Sequence, residues 1–346
     1  MTNLQRSLLL GAAAGLLGFI APATADGLKG APAPFDKGGV KIALVSYISA
    51  GDFFQAYQSG AQAQAKKLGV DLRVFPGKQD AAEERDQIEQ AVNLGVKAII
   101  IDHGLPESLK DVAQKALDAG VKVIAFDVNL DNAKIPQIEQ SDRLLARLAL
   151  EQAVKDNGDS FKAAYVYVPG FAPLDRRDEV WTEFKAKHPG VVEVARFGTV
   201  NATTAASVAD QAKAALRAHP EINVIFAPYD EFARGAKLAL NELGLASKIK
   251  VYSADVSTAD IREITEKDSP WAATVATNPA VVGAVSVRAA ALAVAGQDPG
   301  GTIVVEPTLL TQKALSDSGV ATIEDLSAKI PAFGKSTAAT APWIAD

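Results

Sequence analysis

Residues 94–127, LGVKAIIIDHGLPESLKDVAQKALDAGVKVIAFD, carry the pattern that decides the fold. Two nearly continuous apolar runs, 97–102 and 121–127, predict strands, and the apolar residues between them recur at helical spacing from Leu109 to Leu117. Strands without a polar face that are joined through helices are typical of parallel sheets covered on both sides. The sequence therefore predicts an α/β fold with doubly wound parallel sheets.

The same strand and helix pattern recurs along the chain. The predicted strands are 41–48, 71–75, 97–102, 121–127, 162–168, 191–197, 222–228, 248–255 and 271–277. Gly69, Gly95 and Gly120 each stand where a helix ends before a strand begins. Because 346 residues are too many for one ordinary core, we expect two such domains.

The N-terminus predicts export. Arg6, the apolar run that follows it, and Ala23-Thr24-Ala25 together indicate a signal peptide over residues 1–25 that is cleaved before Asp26, with a linker over 26–37. The chain has no cysteine, which excludes disulfides, thiolate metal sites and a lipid-modified N-terminal cysteine. We therefore expect a periplasmic protein that is not lipid-anchored.

Charge and motifs exclude several functions. A net charge of −6, spread along the chain, disfavours a nucleic-acid partner. The patterns GxGxxG, GxxxxGK[ST], GxSxG and HExxH are absent, so the sequence predicts no cofactor and no hydrolase or dehydrogenase activity. His103, His188 and His219 are scattered and predict no metal site. An α/β enzyme that uses Asp102, His103 and Asp127 remains an alternative at this point.

Polar and aromatic residues cluster at the predicted strand ends, where open α/β sheets bind their ligands. They are Asp52, Phe53 and Phe54 after the first strand, Asp102 and His103 after the third, Asp127 after the fourth, and Tyr229, Asp255 and Asn278 further on. Several of these residues could have a structural role instead of binding a ligand. Asp52 could form a capping box with Gln55, Asp127 and Asp255 could cap the turn or helix that follows, and His103 could form a hydrogen bond within its loop.

Two further segments add candidates. In GDFFQAYQSG, residues 51–60, Phe54 begins the helical line of core residues, whereas Phe53 falls outside that line and is a candidate ligand platform. Arg176 and Arg177 begin a helix at its positive end, where arginine is electrostatically disfavoured. A surface partner such as Asp175 or Glu179 is the alternative to a ligand cleft for both; the two stay open for Arg176, and the cleft is favoured for Arg177. Trp181, one turn on, is a core residue or a ligand platform.

The chain resembles the ribose- and galactose-binding family, the periplasmic receptors of ABC importers. The resemblance covers residues 40–312 and rests on DFFQAYQSGAQAQAKKLGV, AGVKVIAFD, DRRDEVWTEFKAKHPGV, IFAPYDEFARGAKLAL, VYSAD and ATNPAVVGAVSVRAA. It implies two doubly wound lobes joined by a three-strand hinge, with the ligand in the cleft between them. The N-terminal lobe would comprise 38–141 and 279–308, and the C-terminal lobe 142–278 and 309–346.

The resemblance also implies a function and a site. A monosaccharide or sugar alcohol (polyol) would be captured by lobe closure and passed to an inner-membrane ABC permease by a monomeric, non-enzymatic protein. The implied ligand contacts are Phe53, Phe54, Asp127, Arg177, Tyr229, Asp255 and Asn278, with Asp52, Asp102, His103 and Trp181 as weaker candidates. Val128 replaces an arginine that is common in the family, which argues against ribose itself. A sensor that presents its ligand to a chemoreceptor or sensor kinase is the alternative.

Overall fold

The computed structural model describes residues 27–344, so the predicted signal peptide lies outside the described residues. The strands are β1 (Lys41–Ser46), β2 (Asp71–Phe75), β3 (Ala98–Asp102), β4 (Lys122–Phe126), β5 (Gln137–Glu139), β6 (Phe161–Val166), β7 (Val191–Phe197), β8 (Val224–Ala227), β9 (Lys250–Ala254), β10 (Trp271–Ala276), β11 (Thr302–Val304) and β12 (Thr308–Thr311). The helices are α1 (Asp52–Lys67), α2 (Ala81–Asn93), α3 (Pro106–Asp118), α4 (Asp142–Asn157), α5 (Ala172–Lys187), α6 (Thr204–Ala218), α7 (Asp230–Glu242), α8 (Thr258–Thr265), α9 (Pro279–Val294), α10 (Gln312–Ser318), α11 (Ile323–Lys329) and α12 (Pro331–Gly334).

The strands form two six-stranded sheets, which are the centres of two α/β lobes. The first sheet has the order β11-β5-β4-β3-β1-β2 and the second the order β12-β10-β9-β8-β6-β7. The strands are parallel except for β12, which runs antiparallel to β10. The predicted doubly wound architecture is thus confirmed.

The chain passes between the two sheets three times. The crossings are residues 140–141 between β5 and α4, 277–278 between β10 and α9, and 305–307 between β11 and β12. The third crossing explains the antiparallel edge strand. Because β11 ends at the hinge, the chain enters the second sheet at the carboxyl end of β10 and can only run back along it, so that Thr308 pairs with Ala276.

Glycines shape the first lobe at two kinds of position. A Cβ on Gly60 of α1 would lie 1.9 Å from the Ala280 carbonyl oxygen, and one on Gly283 of α9 would lie 2.0 Å from that of Tyr57. The two helices therefore pack backbone against backbone, which holds the start of α1 next to the hinge. Gly69, Gly95 and Gly120 have φ of 63°, 69° and 82°, as expected for glycines that end a helix.

Both ends of the described chain pack on the first lobe. The predicted linker 26–37 includes Phe35, which is buried in the core of that lobe and lies 5.0 Å from the Trp343 ring. Ile344 is buried in the same core, whereas Leu326 and Phe333 are buried in the second lobe. The sequence assigned the whole of 309–346 to the C-terminal lobe; the tail near residue 344 instead returns to the first lobe, because its apolar side chains cover Phe35. No helix within residues 27–344 is long and apolar enough to cross a membrane.

Candidate ligand-binding cleft

A cleft lies between the lobes at the carboxyl ends of the strands. Its lining is drawn from both lobes: Ile48, Phe53, Phe54, His103 and Gln140 on one side, and Phe171, Pro173, Leu174, Arg177, Val200, Tyr229 and Asp255 on the other. Phe171 and Val200 pack against the cores of both lobes, and the Phe171 ring lies 6.2 Å from Tyr47 of the first lobe. The two lobes are therefore closed on each other.

The first lobe contributes a wall of aromatic rings. Phe53 and Phe54 meet edge to face with ring centroids 5.2 Å apart, and both are 5% exposed. Phe54 also meets the His103 ring edge to face at 5.2 Å. Aromatic faces can cover the C–H surface of a sugar ring, and they can equally pack against an apolar substituent. This wall therefore suits either kind of group.

The residue that directly follows β3, β4 and β9 has an unusual backbone conformation in each case. His103, Asp127 and Asp255 have φ of 65°, 51° and 73°. Few residues other than glycine adopt this left-handed region, and those that do are mainly Asn, Asp and His. The chain therefore changes direction at each of these strand ends, and all three side chains are buried.

Arg177 is held between two carboxylates of the second lobe. Its Nη1 donates to Asp255 Oδ2 at 3.0 Å and to the Pro228 carbonyl at 2.6 Å, while its Nε donates to Asp142 Oδ1 at 3.0 Å. Burial raises the pKa of Asp255, and Arg177 offsets only part of that effect. Burial also acts against ionisation of Asp142, but Arg177 and Arg176 outweigh it and lower its pKa. Arg177 therefore lies at the cleft with its N–H groups directed at Asp142, Asp255 and the Pro228 carbonyl, and it holds the Asp255 carboxylate in place.

Arg176 connects the two lobes. Its Nη2 lies 2.5 Å from Asp127 Oδ1 of the first lobe and 2.6 Å from Asp142 Oδ2 of the second, and its Nε lies 3.3 Å from Glu139 Oε2. Burial and then the charge of Asp142 raise the pKa of Asp127 to about 7, despite the opposing effect of Arg176. The surface partners predicted for Arg176 were wrong, because its acceptors come from distant strand ends.

Gln140 lies in the first hinge crossing and joins this network. Its Nε2 donates to Asp127 Oδ2 at 3.3 Å, and its Oε1 accepts from Thr277 Oγ1 of the second crossing at 2.5 Å. Asp127 itself does not line the cleft; it lies behind Gln140 and is 1% exposed.

His103 is fixed by Asp102. The imidazole Nδ1 lies 2.6 Å from Asp102 Oδ1, and the ring is packed edge to face between Phe54 and Phe126 at 5.2 and 5.1 Å. Burial lowers the pKa of His103, but the hydrogen bond and charge of Asp102 outweigh it, and the net shift is upward. The imidazole is thereby oriented at the cleft with one nitrogen already bound.

Three candidates lie elsewhere. Asn278 caps α9, accepting from the Ala280 N–H at 3.0 Å and donating to Ser327 at 2.8 Å. Trp181 is fully buried in the second lobe and donates to Glu193 at 2.6 Å. Asp52 is the first residue of α1, and the cap is Gly51 with no side-chain hydrogen bond, so the predicted capping box was wrong. The cap predicted for Asp255 was wrong as well, because Ser257 and Asp260 form the capping box of α8.

The sequence reasoning missed several cleft residues. Gln140, Phe171, Leu174 and Val200 line the cleft, and none directly follows a predicted strand. Phe171 precedes the Ala172–Lys187 helix, and its apolar character directly after Gly170 was the only available signal. Within residues 27–344 no three His, Cys, Asp or Glu side chains are grouped as a metal site.

The chain is similar to known sugar-binding proteins. The sequence profile of the periplasmic binding protein domain matches residues 42–298. A 5-methylthioribose transporter solute-binding protein from Thermotoga lettingae, solved with 5-methylthioribose, is 40% identical with a TM-score of 0.85, covering 88% of this chain and 97% of that one. A sugar ABC transporter protein from Yersinia enterocolitica is 28% identical with a TM-score of 0.84, covering 89% and 93%. The ribose import binding protein RbsB of Bacillus subtilis is 26% identical over 263 residues, 75% of this chain and 84% of RbsB.

These similarities decide between the predicted classes of function. The relatives are substrate-binding proteins of importers and not enzymes, so the enzyme alternative built on Asp102, His103 and Asp127 is set aside. Their profile places the protein outside the cytoplasmic membrane. The chain belongs to the periplasmic binding protein family, and it captures a sugar between its two lobes for delivery to an ABC importer.

Proposed function

We propose that the ligand is a neutral pentose that carries an apolar substituent, of the 5-methylthioribose type. The composition of the cleft is the observation that carries this proposal. Seven of its twelve lining residues have wholly apolar side chains, and His103, Gln140, Arg177, Tyr229 and Asp255 offer polar groups. An unsubstituted sugar presents hydroxyl groups around its whole rim, and buried hydroxyls without partners are unfavourable. The 40% identity to a protein solved with 5-methylthioribose supports the same ligand class.

The polar groups have complementary roles in this proposal. The Nε2 atom of His103, the Gln140 side chain and the Asp255 carboxylate form hydrogen bonds with the sugar hydroxyl groups, while Arg177, whose N–H groups bond to Asp142, Asp255 and the Pro228 carbonyl, holds Asp255 in place. Phe53 and Phe54 cover one face of the sugar, and Phe171, Leu174 and Val200 surround the apolar substituent. Tyr229, which packs edge to face on Phe232 at 5.1 Å, closes the far side.

The expected selectivity follows from the area buried. A methylthio group in place of a hydroxyl adds roughly 70 Å² of apolar surface, which stabilises the complex by about 2 kcal/mol at 25 cal/mol per Å². This corresponds to roughly a 30-fold difference in Kd between 5-methylthioribose and ribose.

The test is a comparison of ligands by thermal shift, followed by calorimetric titration. The panel contains 5-methylthioribose, ribose, arabinose, allose, galactose and a sugar alcohol, because a tight ligand raises the melting temperature through mass action. We expect 5-methylthioribose to give the largest shift and a Kd at least tenfold below that of ribose. Equal or tighter binding of ribose or a sugar alcohol would refute the proposed ligand class and leave the sugar-capture function intact.

The remaining expectations concern the mature protein. We propose that the signal peptide is removed before Asp26, that the mature protein is monomeric, and that the lobes divide near the three crossings. N-terminal sequencing of the periplasmic fraction and light scattering test the first two. Signalling through a chemoreceptor or sensor kinase is a separate prediction: deletion of the protein would abolish the response to the sugar even where another importer supplies it.

A further inference from the structure

Gln140 is a buried amide in the first hinge crossing that reaches the cleft. It is 2% exposed, lines the cleft, and lies between the end of β5 and the start of α4. The two ends of an amide side chain have nearly the same shape, but one donates hydrogen bonds and the other accepts them. Packing alone therefore does not decide which end faces a ligand, and the orientation of the Gln140 amide depends on its hydrogen-bond partners.

One partner is Asp127, which lies behind Gln140. Gln140 Nε2 donates to Asp127 Oδ2 at 3.3 Å, and the other carboxyl oxygen, Oδ1, accepts from Arg176 Nη2 at 2.5 Å. The positive charge of Arg176 favours the ionised form of this acid. Because an ionised carboxylate accepts hydrogen bonds and donates none, Asp127 binds the NH2 end of the Gln140 amide.

The other partner is Thr277 in the second hinge crossing. Thr277 is 1% exposed, and its hydroxyl group donates to Gln140 Oε1 at 2.5 Å. The sequence placed the polar site residue of this crossing at Asn278, but Asn278 caps α9 and its neighbour Thr277 bonds to Gln140. Asp127 and Thr277 thus hold opposite ends of one amide, and both require the same orientation of it.

The two bonds leave half of the hydrogen-bonding capacity of the amide for the cleft. An amide has two N–H groups and two lone pairs on its oxygen, and Asp127 and Thr277 use one of each. A sugar hydroxyl group both donates and accepts, so it matches the N–H group and the lone pair that remain. Reversal of the amide would exchange donor and acceptor in the cleft and would turn the amide oxygen toward the carboxylate, which is unfavourable.

We propose that Asp127 and Thr277 are positioning residues for sugar binding, which fix the Gln140 amide so that its remaining N–H group and lone pair serve the ligand. The inference deepens the proposed function and rests on it for the contact between Gln140 and the sugar. Neither Asp127 nor Thr277 is among the residues that line the cleft, so both act through Gln140.

The first test needs no ligand. The side-chain NH2 signals of Gln140 are followed by proton–nitrogen NMR at pH 8, above the Asp127 pKa of about 7, and are assigned through their loss in Gln140→Met. Thr277→Val removes the hydroxyl group with little change of shape and should shift these signals, whereas Thr277→Ser keeps the hydroxyl group and should leave them near the wild-type position. The control is Thr265→Val, which removes a hydroxyl group that donates to the Ile261 carbonyl at 2.7 Å within α8 and should leave the signals unchanged.

Asp127→Asn tests the acid in the same experiment. The guanidinium group of Arg176 only donates, so it holds the oxygen of the new amide and turns the new NH2 group toward Gln140. The Gln140 amide should then reverse, with Oε1 toward residue 127 and Nε2 toward Thr277. We expect the Gln140 NH2 signals to move in this variant.

Affinity gives the second readout, measured by calorimetry with 5-methylthioribose, or with ribose if 5-methylthioribose does not bind. We expect Thr277→Val to bind about fivefold more weakly than the wild type, the effect of one hydrogen bond, and Thr277→Ser to bind within about twofold of it. Because Thr277 acts through Gln140, Thr277→Val should change Kd by less than about twofold when it is added to Gln140→Met. An effect on folding or on lobe closure alone would be equal in the two backgrounds.

The outcomes separate the two proposals. Unchanged Gln140 signals in Thr277→Val, or an equal effect of Thr277→Val on Kd with and without Gln140→Met, would overturn the role of Thr277. Unchanged signals in Asp127→Asn would overturn the role of Asp127; if that variant does not fold, Asp127→Gly, which suits the φ of 51° at this position, is judged by the same criterion. Failure of 5-methylthioribose to bind would overturn the ligand class alone, because the NMR readout needs no ligand.

Discussion

Replacing Arg177 by methionine should destabilise the second lobe far more than replacing a surface arginine. Arg177 is 2% exposed and is the cation shared by Asp142 and Asp255, which are 1% and 5% exposed. Methionine has a similar length but no charge, so both carboxylates lose this partner and Asp142 keeps only Arg176. Removal of one partner from a buried ion pair is unfavourable by about 3 to 5 kcal/mol.

The control is Arg143→Met. Arg143 pairs with Glu179 at 2.6 Å, but the side chains are 52% and 55% exposed. Exposed pairs contribute about 0 to 1 kcal/mol. Urea unfolding of both variants at pH 7, followed by circular dichroism, measures the difference.

The pH dependence distinguishes a charge effect from lost packing. In the wild type the pKa of Asp142 is lowered, so its contribution to stability is present above the unfolded value near 3.8 and is lost as the pH falls through the folded value. Without Arg177 the pKa values of Asp142 and Asp255 rise, and each ionised carboxylate then destabilises the fold above that unfolded value. The deficit of Arg177→Met should therefore grow as the pH rises from 4 to 7. A deficit that is independent of pH, or equal to that of Arg143→Met, would refute this account.

Three further predictions concern stability. Glu84 is 1% exposed, and burial raises its pKa to about 9, so the wild-type acid must take up a proton on folding. Glu84→Gln should therefore be more stable than the wild type, by an amount that grows from zero near pH 4.5 by about 1.4 kcal/mol per pH unit, to about 3 kcal/mol at pH 7. Stability profiles of the two proteins that run parallel over this pH range would contradict the prediction. Asn278→Ala should lower the free energy of unfolding by about 1 kcal/mol because it removes the α9 cap, and it should bind sugar normally in calorimetry. Loss of binding would show that Asn278 belongs to the ligand site after all. Trp343→Ala should lower the unfolding free energy by about 1 to 3 kcal/mol, and an unchanged value would show that the tail does not stabilise the first lobe.

The sequence predicted the fold well because its long strands are buried on both faces. All nine predicted strands form, and the errors are at most a few residues at the ends. The missed strands are β5, β11 and β12, which have three or four residues each. Such short strands carry too little apolar pattern to be recognised, and they become strands only by pairing with neighbours that the hinge brings close.

The site was predictable where it depends on strand ends or, for Arg177, on a charge placed against the helix dipole. His103, Arg177, Tyr229 and Asp255 line the cleft, as do Phe53 and Phe54. Contacts that depend on how the lobes meet could not be predicted from the sequence. Arg176 was given a neighbour in sequence as its partner, yet its acceptor Asp127 is 49 residues away in the other lobe. For the same reason Phe171 and Val200, which are partly buried against the cores of both lobes, gave no usable signal.

The charges around the cleft restrict the class of ligand. Five carboxyl groups, Asp102, Asp127, Glu139, Asp142 and Asp255, face two arginines, Arg176 and Arg177, and the imidazole of His103. The raised pKa values of Asp127 and Asp255 reflect burial in this carboxylate-rich network. A phosphorylated sugar would add negative charge to a buried site that already holds an excess of it, whereas hydroxyl groups donate to the carboxylates and relieve the repulsion. Since most of the remaining lining is apolar, the charges support the proposed neutral sugar whose non-polar end replaces a hydroxyl, and we expect a sugar phosphate to bind weakly.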